Sequence, residues 1–163
     1  MHHWPTRHFP AALAASLLLV ASLVHARGND LPAATDLRAA AVQAAQQGGL
    51  LVIIYSRRDC KYCETVKRDY LKPLADLPRY RNKLVIRQIN QDSDLPLRDF
   101  QGETTTHARL AAREKIKLVP VVAFYGPNGQ RLADPIVGAR LPDFYQSYLE
   151  TAIEQSMASL KRR

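Results

Sequence analysis

The sequence predicts an α/β fold, a three-layer sandwich in which one mixed β-sheet has helices on both faces. Three observations predict it. Residues 50–55 (LLVIIY) form an unbroken apolar run, helical and strand-like segments alternate along the chain, and residues 126–129 (GPNG) form a turn between two strand-like segments. Strands joined through helices are expected to be parallel with right-handed crossovers. The turn should add an antiparallel strand.

Length and charge narrow the class of protein. The chain has 163 residues, of which 47% are hydrophobic, and a formal net charge of +8. This length favours one domain. A basic protein can bind nucleic acid, but here the positive residues are scattered along the chain. We therefore expect no nucleic-acid partner and interpret residues 157–163 as a basic, solvated tail.

The amino-terminal residues have the pattern of an export signal. Residues 1–10 contain Arg7 and no acid, and residues 11–24 are small and apolar. This pattern predicts a secretory signal peptide over residues 1–26, cleaved after Ala26. An uncleaved anchor is the alternative, although the apolar run is shorter than the roughly 20 residues that span a bilayer. Residues 27–34 are then a leader, and residues 35–156 the domain.

The domain is predicted to begin with a helix and a buried strand. Thr35 is expected to cap a helix that runs to about Gln47, with Gly48 and Gly49 as its stop. Residues 50–55 are typical of a central strand that is covered on both faces.

The next helix is predicted to be amphipathic. Residues 66, 70, 71 and 74 place apolar side chains on one side, whereas residues 67–69 are expected to lie largely on the opposite side. Pro73 should end or kink this helix.

The rest of the domain is also predicted to alternate between strands and helices. It comprises a strand over residues 84–89, a surface loop over 91–102, a helix over about 104–115, strands over 121–125 and 131–137, and a final helix from residue 142. His107 is expected on the surface of the third helix. Pro142 suits the first turn of the last helix.

The most informative feature is the spacing of the two cysteines, Cys60 and Cys63, at the start of the helix after the central strand. Residues three apart share a helix face, with about 5–6 Å between their Cβ atoms. Cys60 lies in the first turn, where free N–H groups and the helix dipole favour an anion. We predict that Cys60 is an attacking thiol of lowered pKa. Cys63 is predicted to be more shielded and to act as the resolving thiol.

Three other interpretations compete with redox exchange. A structural disulfide would close a very short loop and contribute little stability. A zinc site needs about four ligands, and His107 is the only histidine outside the predicted signal. The cysteines could also be vestigial in a module that only binds partners. Redox exchange fits best, with no metal and no cofactor.

Four features, taken in order, resemble the thioredoxin superfamily. They are the CKYC motif at a strand-to-helix junction, residues 116–120 (IKLVP) before a strand, Asn128-Gly129 in the hairpin, and residues 137–139 (VGA) before the last helix. The similarity covers about residues 35–156 and implies a thioredoxin-like sandwich.

The resemblance also implies roles for site residues. Cys60 looks like the attacking thiol and Cys63 like the resolving one. Pro120, which would otherwise be an ordinary first residue of a strand, would be the family's cis-proline beside the disulfide. Val119 would present backbone groups to an extended substrate segment, and Gly138 would allow close approach.

Two departures distinguish the chain from cytoplasmic thioredoxins. Ile54 stands where those proteins carry a buried acid, so the proton acceptor for Cys63 is unassigned. Lys61 and Tyr62 replace the Gly-Pro between the cysteines, and Tyr62 is a candidate for shaping the docking surface. The interval from Cys63 to Pro120 is too short for the helical subdomain of DsbA-type oxidases.

The chain looks most similar to small periplasmic thioredoxin-related proteins, including the SoxW type. This resemblance implies a periplasmic, monomeric reductase of protein disulfides, supplied with electrons by a membrane transporter of the DsbD/CcdA kind. The alternatives are the oxidase or isomerase direction of the same exchange, and a non-catalytic partner-binding module.

Overall fold

The computed structural model describes residues 31–139 and 142–162, together with Met1. Apart from Met1, the predicted signal peptide, its cleavage site and residues 27–30 of the predicted leader therefore lie outside the described residues. The elements in chain order are α1 (Leu37–Gln46), β1 (Leu50–Ser56), α2 (Lys61–Thr65), a π-helical segment (Val66–Leu71), α3 (Lys72–Asp76), β2 (Leu84–Asn90), β3 (Pro96–Arg98), β4 (Thr104–Thr106), α4 (His107–Arg113), β5 (Val121–Tyr125), β6 (Ile136–Val137) and α5 (Pro142–Lys161).

The central sheet has the strand order β2-β1-β5-β6. Strand β1 is parallel to β2 and antiparallel to β5, and β5 is antiparallel to β6. The parallel β1–β2 pair and the antiparallel β5–β6 pair confirm the predicted helical crossover and antiparallel return. Strand β5 also follows a helix but runs antiparallel to β1, contrary to the expectation that strands joined through helices are parallel. All residues of β1 are buried, as its continuous apolar composition predicts for a central strand.

The core lies in two layers on either side of this sheet. Successive side chains of a strand point to opposite faces, so Leu51, Ile53 and Tyr55 join one cluster and Leu50, Val52 and Ile54 join the other. The first cluster contains residues of α1 and α4, and the second contains residues of the 61–76 helical stretch and α5. The chain therefore forms the predicted three-layer α/β sandwich.

A hydroxyl pair closes the first cluster. The Tyr55 and Tyr125 hydroxyl oxygens lie 2.9 Å apart in the interior. Burial, reinforced by this neighbour, raises the pKa of Tyr55 far above its ordinary value. The Tyr55 hydroxyl consequently stays protonated and serves packing.

The domain begins earlier than predicted. The Ala34 N–H donates to the Gln88 carbonyl and the Gln88 N–H donates to the Pro32 carbonyl, both at 2.8 Å. Ala34 is buried. This part of the predicted leader occupies the open edge of β2, whose unpaired backbone groups accept another extended segment.

The start of α1 also differs from the prediction. Its N-cap is Asp36, whose side chain accepts a hydrogen bond from the Ala39 N–H at 2.7 Å. Thr35, the predicted cap, precedes it. Both residue types favour this position. Which of them becomes the N-cap therefore depends on the residue at which the extended segment ends.

The predicted surface loop over 91–102 contains structure of its own. Strands β3 and β4 pair antiparallel, and Leu97 and Asp99 are buried. The polar composition of this segment predicted a solvated loop, but long-range contacts with Arg113 and with α1 bury it.

Two boundaries at the carboxyl-terminal side differ as well. Strand β6 covers only Ile136–Val137, and Arg131 makes a single bridge to Tyr125. Helix α5 continues to Lys161, so the predicted basic tail is mostly helical. Met157 and Leu160 pack against the second cluster, which explains the continuation.

Pro73 does not end its helix. The segment before it is π-helical, and the Lys72 N–H donates to the Lys67 carbonyl five residues earlier. Proline lacks the N–H of a regular helical bond, and the altered hydrogen-bond pattern lies immediately before it. The helix then continues as α3. Within residues 31–139 and 142–162, no helix is both long and apolar enough to cross a membrane.

Candidate active site

The two cysteines are disulfide-bonded at the junction between β1 and α2, with Cα atoms 5.2 Å apart. Strand β1 ends at Ser56, and a three-residue loop leads to Cys60. The Arg58 N–H in this loop donates to the Asp92 carboxylate at 2.9 Å. The loop is thereby fixed to the segment that follows β2.

Cys60 is itself the N-cap of α2. Its sulfur accepts a hydrogen bond from the Cys63 N–H at 3.2 Å. Cys60 is 7% exposed and Cys63 is 0% exposed, as the prediction of an outer and a shielded thiol requires. In the reduced form, an N–H group of the first turn directed at the Cys60 sulfur favours the thiolate.

The register of the sheet brings distant segments to this junction. Tyr55 pairs with Val121, and Val121 pairs with Val137. The end of β1 therefore lies beside the start of β5 and the end of β6. Residues that adjoin these strand ends meet near the cysteines even though they are far apart in sequence.

A groove forms where these segments meet. Tyr62, Val119, Pro120 and Gly138, the four predicted substrate-binding residues, line one cavity of about 420 Å³ together with Ala139. The Val119–Pro120 peptide bond is cis, and the Pro120 carbonyl accepts a hydrogen bond from the Gly138 N–H at 2.8 Å. Gly138 has a φ of 80°, a left-handed conformation that favours glycine. That Tyr62, Val119, Pro120 and Gly138 bind substrate stays a prediction.

Comparison with known proteins identifies the family. A model of thioredoxin-like domains matches residues 37–153. The chain belongs to the thioredoxin-like domain family. With a bonded Cys60–Cys63 pair at the first turn of its helix, this thioredoxin-like protein is a thiol–disulfide oxidoreductase.

Solved thioredoxin structures share its fold at low sequence identity. Oxidised mitochondrial thioredoxin 3 from Saccharomyces cerevisiae is 18% identical, with a TM-score of 0.51 over 76% of this chain and 93% of its own. Fasciola hepatica thioredoxin is 14% identical, with a TM-score of 0.52 over 77% and 99%. Poplar thioredoxin h is 19% identical, with a TM-score of 0.50 over 76% and 96%. No curated protein matches the sequence.

The thioredoxin-like site contains a buried lysine that the sequence pattern placed wrongly. Lys67 was expected to face solvent, but its side chain is 1% exposed and its Nζ lies 2.6 Å from the Glu64 carboxylate. Cys63, Lys67, Leu71 and Leu74 follow one another at spacings of four, four and three, which is the spacing of one helix face. That spacing was the sequence signal for burial of Lys67, whereas the charge of lysine favoured a prediction of exposure.

His107 is also buried, contrary to the prediction that it lies on the surface. Its Nδ1 accepts a hydrogen bond from the Asn90 N–H at 3.0 Å, and its Nε2 lies 2.8 Å from the Ala34 carbonyl oxygen. These partners require the neutral ring with its proton on Nε2. His107 is thus engaged in the structure. No group of three or more His, Cys, Asp or Glu side chains placed to hold a metal occurs in the described part of the chain.

Proposed function

We propose that this thioredoxin-like protein is exported and reduces protein disulfides in the periplasm. The observation that carries the proposal is the position of the outer sulfur. Cys60 borders solvent at the first turn of α2, Cys63 is enclosed beneath it, and the intervening Tyr62 lines the adjoining groove. A substrate held in that groove would lie next to the more accessible sulfur of the redox pair.

The reaction follows from this arrangement. In the reduced protein, the Cys60 thiolate attacks one sulfur of a substrate disulfide, and the other substrate sulfur leaves and is protonated. Cys63 loses its proton and attacks the Cys60 sulfur of the mixed disulfide, which releases the second substrate thiol. The substrate gains two electrons and two protons, and the protein acquires the Cys60–Cys63 disulfide present in the structure.

The groove suits an extended peptide segment. Tyr62 is 66% exposed. Leu118 and Val137, which directly precede the groove residues Val119 and Gly138 in the chain, are 65% and 53% exposed. Exposed apolar residues of this kind offer contact area, and backbone groups next to Val119 would bind main chain rather than particular side chains. Substrate choice would then tolerate many sequences.

Export and electron supply complete the proposal. Residues 1–26 have the pattern of a cleavable signal, with cleavage after Ala26. A periplasmic reductase needs electrons from across the membrane, and a transporter of the DsbD/CcdA kind would supply them to a monomeric domain. Its substrates would be periplasmic proteins with thiols or disulfides, and nucleic acid would not be a partner.

Substitution of each cysteine tests the chemistry. Cys60→Ser should abolish insulin reduction, because it removes the attacking sulfur. Cys63→Ser should also stop turnover but retain mixed disulfides with periplasmic proteins, because Cys60 can still attack and nothing releases the product. Non-reducing electrophoresis after trapping would detect these adducts. Partner binding that survives both substitutions without any adduct would instead identify the non-catalytic binding module.

The equilibrium with glutathione tests the direction. A reduction potential near about −270 mV would support a reductase, whereas a value near about −120 mV would identify a strong oxidant. The measurement uses the wild-type protein and quantifies its thiols at a series of glutathione ratios.

A further inference from the structure

We propose that Lys67 is a positioning residue whose buried ammonium group, held by Glu64, stabilises the thiolate form of the reduced Cys60–Cys63 pair. The proposal rests on the exchange chemistry of these cysteines and not on the compartment or direction proposed above.

The burial of Lys67 is unusual for its residue type. Lysine side chains are almost never fully buried unless they are paired, and the Lys67 side chain is 1% exposed with the Glu64 carboxylate 2.6 Å away. Removing an ion pair from water costs free energy, and an apolar residue of similar size often serves stability as well or better. The position therefore calls for an explanation other than stability.

The direction of the side chain relates it to the cysteines. Lys67 lies one helical turn beyond Cys63, where residues four apart share a face. Long side chains of a helix lean toward its amino terminus, and the bond from Lys67 to Glu64, three residues earlier, has this direction. The ammonium group thus extends back toward the turn that carries Cys60 and Cys63.

A cavity of about 520 Å³ is lined by both Lys67 and the loop before Cys60. Polar side chains of β2, Gln88 and Asn90, form part of its wall. The charged groups that share it with Lys67 come from the loop after β1, from α2 and from the segment after β2: Arg57, Arg58, Asp59, Glu64 and Asp92.

Burial decides which of these charges acts most strongly on the sulfurs. Arg57, Arg58, Asp59 and Asp92 are exposed, so solvent and salt screen them. Glu64 is 42% exposed in its side chain, whereas Lys67 is enclosed. The net field at the first turn should therefore be positive, and a positive field favours a sulfur anion.

Strand β1 supplies no competing charge at Ile54. Ile54 is fully buried in an apolar cluster, so the strand offers no ionisable group there. Within the described ranges, Lys67 and Asp99 are the charged residues with buried side chains, and Asp99 is paired with Arg113 in the β3–β4 region. Lys67 is thus the buried charge on the cysteine helix.

The substitution Lys67→Met tests the proposal with a side chain of similar length and no charge. We expect a higher pKa for the Cys60 thiol. Since the reduced form loses stabilisation, the ratio of dithiol to disulfide at a given glutathione ratio should fall about tenfold, a shift of about 30 mV to more negative potential. Thiolate ultraviolet absorbance against pH gives the first quantity, and thiol counting in glutathione buffers gives the second.

Arg68→Met is the matched control. It removes one positive charge from the neighbouring position, but Arg68 is exposed and pairs with Asp69 at the surface. The pKa of the Cys60 thiol in Arg68→Met and the glutathione equilibrium of this variant should equal those of the wild type. A purely charge-counting effect would shift both variants equally and would contradict the proposal.

Glu64→Gln provides an independent variant at a partly exposed position. It removes the negative partner of Lys67. The pKa of the Cys60 thiol should therefore fall, and the ratio of dithiol to disulfide should rise. The thiol pKa of the Glu64→Gln/Lys67→Met double variant should lie between those of the wild type and Lys67→Met. Unchanged values in Lys67→Met, or shifts of the same sign in both single variants, would overturn the role of Lys67. Failure of the wild type to exchange with glutathione at all would instead overturn the proposed function.

Discussion

At the scale of single residues, His107 shows how one side chain joins three segments. It begins α4 and accepts a hydrogen bond from the Asn90 N–H at the end of β2. Its Nε2–H donates a hydrogen bond to the Ala34 carbonyl oxygen. Histidine is the side chain that donates and accepts through two ring nitrogens in its neutral form. The segment before α1 is thereby attached to the sheet through a helix much later in the chain.

Removal of this bridge should destabilise the fold. In His107→Leu, the Asn90 N–H and the Ala34 carbonyl both lose their partner, and we expect the free energy of unfolding to fall by about 2–4 kcal/mol. Chemical denaturation measures this change. Arg109→Leu, on the exposed side of the same helix, should change the value by less than about 0.5 kcal/mol; equal effects of the two substitutions would contradict the role of His107.

At the scale of elements, Asp99 organises the β3–β4 hairpin. Burial by itself would raise the pKa of this carboxyl group. Hydrogen bonds from Arg113 and from the backbone N–H groups of Glu103 and Gln101 outweigh that effect and lower it. The charged form of Asp99 is therefore favoured in the folded protein and supports the turn between the two strands.

This shift predicts a pH dependence of stability. The pKa of Asp99 is lower in the folded than in the unfolded chain, where it is about 3.9. Its contribution is therefore present above that value and is lost as the pH falls through the folded-state pKa. Asp99→Asn should unfold at lower denaturant concentration than the wild type near neutral pH, with a difference that shrinks below about pH 4.

Asp94→Asn is the control for this series, because Asp94 is exposed. Its denaturation midpoint should follow the wild type at every pH. A difference between Asp99→Asn and the wild type that stays constant down to acid pH would show that the carboxylate charge is not what stabilises the hairpin.

At the scale of the whole molecule, the folded unit includes the segment at the edge of β2. Ala34 belongs to the first core cluster and is 1% exposed, whereas the neighbouring Ala33 is exposed. The two positions have the same residue type and lie on the same extended segment. They therefore separate the effect of burial from that of composition.

Replacement of each alanine by arginine tests the extent of the domain. Ala34→Arg must force a charged side chain into the core or detach the segment, and we expect a loss of about 2–4 kcal/mol. Ala33→Arg should be close to neutral. Thermal unfolding of the two full-length variants gives the comparison, and similar melting temperatures would place this segment outside the stabilised fold.

The sequence by itself determined the features that depend on neighbours along the chain. The apolar run of β1 predicted a central strand, the turn at residues 126–129 predicted an antiparallel return, and the spacing of Cys60 and Cys63 predicted a redox pair at the start of a helix. These predictions succeed because strand composition, turn geometry and helical periodicity are local properties.

Only the tertiary structure decided which polar residues are buried and what they contact. One partner of His107, Ala34, is 73 residues away, and Asp99 depends on Arg113 in the following helix. Lys67 was misplaced because its charge predicts exposure, although its spacing from Cys63 predicts burial. A buried polar group is stable where the fold supplies a partner, and local periodicity does not show which distant segment supplies it.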